Sequence, residues 1–392
     1  MACRASCDII YIQHVHALTA ARLQIDGNAA PAGQGGALAI TSGALGIVSL
    51  LDGGRLCDNA AGGGNGGAIW VSASVGTFAA SGTGSGVCNN TAAGHGGGIA
   101  IGGGVLAELG LADGAAAAGN AAAGGSGGGI WVSGTVNSLR ITGGAALRAN
   151  AAAVSGGGIW VGGNAWSLGI RNGSALSDNT AGNGTGAGLC VGGAIRTWVI
   201  DGGSELSGNA AAAASGGGAW IGGAVTNLAV ASGGRLEHNV AAGDGAAIWV
   251  GGRLGNVSLA DGAIAAGNSA GGDGGVLYAA VGLVAFAAGG GARLDGNFAG
   301  MNGGAVAAEE VPTLLRLDGG VAVANNTAKR GQGGAFSLRV SAYVCVLHCM
   351  CVCVCVCVCV CVCVCVLKNE TKARPMTRRS YLPIPTILPS VA

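Results

Sequence analysis

With 392 residues, 82 glycines, a 50% hydrophobic composition, 9% charged residues and a net charge of +1, the chain is too apolar for a disordered polymer and lacks the basic footprint of a nucleic-acid binder. Six prolines and the absence of a strict three-residue glycine period exclude collagen. The fifteen cysteines are not a disulfide framework, because twelve lie outside the repeating part, at Cys3, Cys7 and ten positions from Cys345 to Cys365.

Residues 1–14 read as an irregular stub that lacks the basic start, long apolar run and cleavage site of a signal peptide, so no export signal is visible in this chain. From Val15 onward the text repeats. Asn28, Asn59, Asn90, Asn120, Asn150, Asn179, Asn209, Asn239, Asn268, Asn297 and Asn326 follow one another at steps of 29 to 31 residues, which marks eleven units. Three residues before each Asn stands an apolar side chain such as Leu56, Leu147 or Leu206, which predicts a core position. A glycine cluster follows the Asn, then a short strand with two apolar anchors, as in Ile69 and Val71, Ile130 and Val132, or Ile159 and Val161. Side chains two apart share one face of a strand, so the anchors point inward and the residue between them points outward. A third strand, seen as Leu139 with Ile141 and Trp198 with Ile200, ends in turns such as Asp52-Gly53-Gly54 and Asp201-Gly202-Gly203.

The pattern predicts an all-β parallel β-helix, or β-solenoid, of about eleven rungs of 29–31 residues with three short strands per rung, over residues 15–343. Glycine pairs in every unit and the missing 3.6-residue period exclude an α-solenoid. Ten rung-to-rung steps at strand spacing give a rod roughly 45–50 Å long. One rung buries too few apolar side chains to offset the entropy of ordering thirty residues, so stacked neighbours and an asparagine ladder must supply the rest.

Residues 344–367 form a Cys-Val low-complexity segment with strict alternation over 351–366, the pattern that in-frame translation of a repeated TG dinucleotide also produces. From Tyr343 to Leu367 the one strongly polar residue is His348, so 343–367 is long enough to cross a bilayer as a helix. Lys368, Lys372, Arg374, Arg378 and Arg379 follow; positive-inside bias would then leave the tail in the cytoplasm and the rod outside. The basic, proline-containing stretch 368–392 reads as a disordered tail.

Candidate sites come from positions that repeat on outward faces. The residue between the two anchors is Trp70, Ala100, Trp131, Trp160, Cys190, Trp220, Trp249 and Tyr278 in successive rungs, so Trp131, Trp160, Trp220, Trp249 and Tyr278 form a candidate binding face for a polysaccharide or a surface protein. The same file also serves as a plain stabilising stack. Cys57 and Cys88 follow the inward anchor in consecutive rungs, which places their Cα atoms about one strand spacing apart, roughly 4.8 Å and within disulfide range. Sequons at Asn89, Asn172, Asn183, Asn256, Asn325 and Asn369 would accept glycans in an exported chain.

No catalytic constellation emerges. Asp52, Asp113, Asp201, Asp261 and Asp318 recur beside glycine as turn formers, Asp295 lacks an acidic partner in adjacent rungs, and Glu237-His238 reads as solvated surface. Gly271-Gly272-Asp273-Gly274-Gly275 occurs once, without the nine-residue period of calcium-binding repeats, and the Cys and His spacings in the array do not suggest zinc. No cofactor is expected.

With Gly-Gly-Ala-Ile at 66–69 and Leu-x-x-Asn at 56–59, recurring in eleven units over roughly residues 15–340, the chain resembles the polymorphic outer membrane protein repeat and the wider right-handed parallel β-helix families. Leu, Ile or Val stands where that repeat has Phe, and no C-terminal translocator barrel is recognisable. The resemblance implies a cell-surface or secreted, adhesin-like, non-catalytic rod. Parallel β-helices also carry pectate lyases and polygalacturonases, which makes a polysaccharide-acting lyase or hydrolase the alternative; an acidic cluster in one groove after rung alignment would favour it.

Overall fold

Each rung is one turn of a parallel coil, because short β-branched anchors alternate with glycine-rich corners and leave every strand an open edge for the next rung. The computed structural model describes residues 10–11, 15–43, 45–339, 352–356 and 358–362, and the chain divides into two units, Met1–Ala342 and Tyr343–Ala392.

In the first unit a representative turn runs through Thr135–Thr142, Ala146–Arg148, Ala151–Ala152 and Ile159–Val161. Equivalent strands of successive turns pair in parallel and build four sheets, one of twelve strands and three of eleven. Register is one residue to one residue: Ile130, Trp131 and Val132 lie opposite Ile159, Trp160 and Val161. The twelve-stranded sheet begins with Ile10–Tyr11, which pairs with Leu38 and Ala39.

The chain is thus a parallel β-solenoid of about eleven rungs, with four strands per turn rather than the expected three. The additional strand is two residues long, for example Ala60–Ala61 or Thr180–Ala181, and only its second residue points inward. A single small inward residue leaves no period-two trace in the sequence. The third expected strand is also longer than its two anchors, spanning seven residues in Val75–Ser81 and eight in Thr135–Thr142.

The interior is one continuous apolar column. Ile69, Val71, Ile130, Val132, Leu56 and Leu147 are at most 1% exposed, as the alternation predicts. Trp198 also lies in this column, opposite Leu168 and Leu228, and its indole N–H has no partner among the described residues.

At the corner after the Leu-x-x-Asn strand the asparagines stack. Asn179 Oδ1 accepts from the backbone N–H and the Nδ2 of Asn150, both at 3.0 Å, while Asn179 Nδ2 donates to Leu147 O at 3.1 Å and Asn209 Oδ1 at 3.0 Å. The ladder runs from Asn28 to Asn326, and its members from Asn59 to Asn297 are buried. It satisfies the corner amides that sheet pairing leaves out.

In the second unit the described residues form two antiparallel strands, Val352–Val356 and Val358–Val362, with Val354 opposite Val360. This corrects the expected membrane-spanning helix over 343–367: among the described residues no helix is long and apolar enough to cross a membrane. Strict alternation with a β-branched residue at every second position has the period of a strand, and valine loses rotamer freedom in a helix. The expected tail, 368–392, lies outside the described residues.

Candidate functional site: stacked aromatics beside a polar ladder

The outward file of the twelve-stranded sheet is where the repeat carries chemistry. Its rings meet because the register sets them one strand spacing apart. Trp131 and Trp160 stack with centroids 5.4 Å apart and planes within 8°, and His95 stacks on Trp131 at 4.8 Å. Trp220 and Trp249 stack at 5.0 Å, and Tyr278 continues that group at 6.5 Å from Trp249. The candidate face Trp131, Trp160, Trp220, Trp249 and Tyr278 is therefore brought together as two stacks with Cys190 between them. The rings point away from the core, yet all five are half-buried rather than freely solvated, and the indole N–H of Trp131 is buried without a partner among the described residues.

Beside the file runs a loop that no sequence pattern singles out. Five residues before each file position stands a polar side chain: Asn65, His95, Ser126, Ser155, Thr185, Ser215, Asp244, Asp273 and Asn302. A glycine in the left-handed region follows each of them, as with Gly127 at φ 69° after Ser126, and it turns the chain so that the polar side chain faces the next rung. These residues form a second ladder with the opposite polarity to the asparagine ladder. Here the backbone N–H of one rung donates to the side chain of the rung before it: Ser126 to His95 Nδ1 at 3.0 Å, Thr185 to Ser155 Oγ at 3.0 Å, Asp273 to Asp244 Oδ1 at 2.8 Å and Asn302 to Asp273 Oδ1 at 2.7 Å. Burial lowers the pKa of His95, which suits a neutral imidazole accepting at Nδ1.

Toward its C-terminal end this face becomes acidic. The Tyr278 hydroxyl donates to Glu309 Oε1 at 2.8 Å, and Glu309 also pairs with Arg339 at 2.7 Å. Glu309 occupies the position two after the file residue, which is glycine in the rungs of Trp160, Trp220 and Trp249. Asp244 is pushed above its usual pKa first by burial and then by the charges of Asp273 and Glu309, against the lowering effect of the Asp273 N–H. Tyr278 is raised by burial, by its bond to Glu309 and by the same carboxylates.

Asp244, Asp273 and Glu309 thus form the acidic group that the sequence reading did not find. In the sequence Asp273 lies in a glycine run that occurs once, and Asp244 and Glu309 match no motif, because the three are joined only by stacking across 29 and 36 positions of chain. A comparison of columns five before and two after the aromatic file would have exposed them.

The other candidates fall elsewhere. Cys57 and Cys88 form a disulfide with Cα atoms 4.5 Å apart, at outward positions of which Cys57 is buried. Asp52, Asp113 and Asp261 take left-handed φ values of 51°, 52° and 49° at their turns; Asp201 pairs with Arg171 at 2.9 Å and Asp318 with Arg316. Asp295 pairs with Arg293 and Glu237 with Arg235, each an exposed ion pair within its own short strand. Among the described residues no group of three or more His, Cys, Asp or Glu side chains is placed to hold a metal ion. No family model, no curated protein and no solved structure matches the chain.

Proposed function

We propose that this protein is a non-catalytic glycan-binding rod whose binding surface is the file of Trp131, Trp160, Trp220, Trp249 and Tyr278. The observation that carries the reading is the two parallel aromatic stacks running beside a ladder of serine, threonine and carboxylate side chains. Pyranose rings place C–H faces on indoles while their hydroxyls seek hydrogen bonds, and a repeating polymer matches a repeating surface.

A secreted or cell-surface address belongs to the same proposal. It is supported by the Cys57–Cys88 disulfide, a bond of oxidising compartments, and by the exposure of the sequon residues Asn89, Asn172, Asn183, Asn256 and Asn325. Kinship with the polymorphic outer membrane protein repeat rests on the Gly-Gly-Ala-Ile and Leu-x-x-Asn elements and would make the rod adhesin-like.

Titration with cellohexaose, chitohexaose and hexagalacturonate tests it. Replacing Trp131, Trp160, Trp220 and Trp249 together by Ala should weaken binding at least about tenfold with the far-UV spectrum preserved. Unchanged affinity with a lowered melting temperature would assign the stacks to stability alone.

A second reading, a polysaccharide lyase or hydrolase, is favoured by one observation: the raised carboxyl of Asp244 close enough to Asp273 and Glu309 to feel both charges. A carboxyl whose pKa is raised by burial, close to two further carboxyl groups, is the starting arrangement for acid-base cleavage of glycosidic bonds. Release of reducing ends from any of the three sugars, abolished by Asp244→Asn, would replace the binding-rod proposal with this one.

A further inference from the structure

The aromatic file lacks a ring in the Ala100 rung, where His95 stacks on Trp131 from the loop, and again between Trp160 and Trp220, where no loop ring among the described residues stacks on either. Register places Cys190 between Trp160 and Trp220, so the two stacks end with indoles facing each other across two strand spacings, about 9.6 Å. Around the gap each indole lies over the glycine two residues on: a Cβ at Gly162 would stand 2.9 Å from Trp160 Cη2, and one at Gly222 would stand 2.8 Å from Trp220 Cη2. Those glycines are half-buried as a result. Gly192, their counterpart in the Cys190 rung, is exposed, and the atoms nearest its Cβ position belong to the backbone of Gly162.

The same rung interrupts the polar ladder. The Thr185 N–H reaches Ser155 Oγ and the Asp244 N–H reaches Ser215 Oγ, both at 3.0 Å, but the step between them is missing. The Thr185 hydroxyl sits 3.6 Å from Cys190 Sγ, and the Ser215 N–H has no acceptor among the described residues. A missing ring, an uncovered glycine and a broken hydrogen-bond step therefore coincide.

We infer that this slot takes one pyranose ring of a glycan, held between Trp160 and Trp220 above Gly192, with its hydroxyls meeting the Ser215 N–H and the Thr185 hydroxyl. A ring at that level stands about 4.8 Å from each wall, close to the 5.0 and 5.4 Å that the chain's own rings keep. Two indole walls select a ring with C–H bonds on both faces. The open Ser215 N–H selects a sugar over an aromatic side chain of a partner protein, which would leave it unpaired. The inference rests on the glycan-binding reading and names where along the face a sugar is gripped.

The full chain is titrated with cellohexaose, chitohexaose and hexagalacturonate. Cys190→Trp and Cys190→Phe plug the slot and should each weaken binding at least about tenfold, whereas Trp166→Ala, at an exposed ring of the Ala165–Arg171 strand in a different sheet, should change it less than about threefold. Wild-type affinity in the plugged variants, with loss in the fourfold tryptophan variant, would overturn the slot and keep the platform. No binding by the native chain would remove both. Binding of the tripeptide Ala-Trp-Ala but of no sugar would overturn the pyranose assignment. If the plugged variants do not fold, peptide-level mass spectrometry of iodoacetamide labelling at Cys190 in the native chain decides: the bound hexasaccharide should slow labelling, and an unchanged rate at saturation would overturn the slot.

Discussion

Asn179→Ala tests what holds the corner together. Asn179 is fully buried, and its side chain takes part in four hydrogen bonds: two received from Asn150, one given to Leu147 O and one given to Asn209 Oδ1. Alanine does not orphan all of these groups. Asn209 Oδ1 still receives the Asn179 backbone N–H at 3.1 Å, and Asn150 Nδ2 still reaches Ala117 O at 3.0 Å. The Asn150 N–H is left without this acceptor in a dry corner, at a cost of about 1–3 kcal/mol, and the weakened neighbours add about 0.5–1.5 kcal/mol, for a total of roughly 2–4 kcal/mol. Urea unfolding followed by far-UV circular dichroism reads the loss as a shift of midpoint at constant slope. Asn137→Ala, at an exposed position of the same solenoid, serves as the control and should stay within about 0.5 kcal/mol. Asn28→Ala, at the half-buried first step, should fall between the two. An Asn179→Ala loss no larger than the control's would refute the claim that the ladder is a structural necessity.

Three further outcomes follow from the same geometry. Cys57→Ser with Cys88→Ser opens a bridge of sequence separation 31 and should cost about 2–4 kcal/mol in the same assay, while the oxidised wild type leaves both thiols unlabelled by maleimide. Burial pushes the Cys190 thiol up to about 11, so the native chain should label there slowly until strongly alkaline pH; because the unfolded thiol ionises first, this group's stabilising effect is lost as pH rises from the ordinary thiol range toward 11. Asp244 has a folded pKa above its ordinary 3.8, so its contribution is greatest in acid and declines as pH rises past that value; Asp244→Asn, which keeps the acceptor oxygen for the Asp273 N–H, should remove the decline and stabilise the chain at neutral pH, and an Asn variant less stable at pH 7 would contradict the assignment.

The sequence by itself determined the coil. A thirty-residue period, anchors two apart such as Ile130 and Val132, and one asparagine per unit specify a rung, an inward face and a register, because stacking identical units is the arrangement in which each apolar pair meets its own kind. That register was enough to place Cys57 against Cys88 and Trp131 against Trp160. Tertiary structure decided what the outer face carries. The polar ladder mixes Asn, His, Ser, Thr and Asp, so no single residue type marks its column, and its role appears only once a left-handed glycine turns each side chain toward the neighbouring rung. Glu309 reaches Tyr278 across a rung boundary from a position that is glycine in the rungs of Trp160, Trp220 and Trp249, and His95 joins the tryptophan stack from the loop rather than from the strand. Local alternation records which way a side chain points from its own strand; which side chains share a patch of surface depends on the closure of the loops between strands, and that is settled in three dimensions.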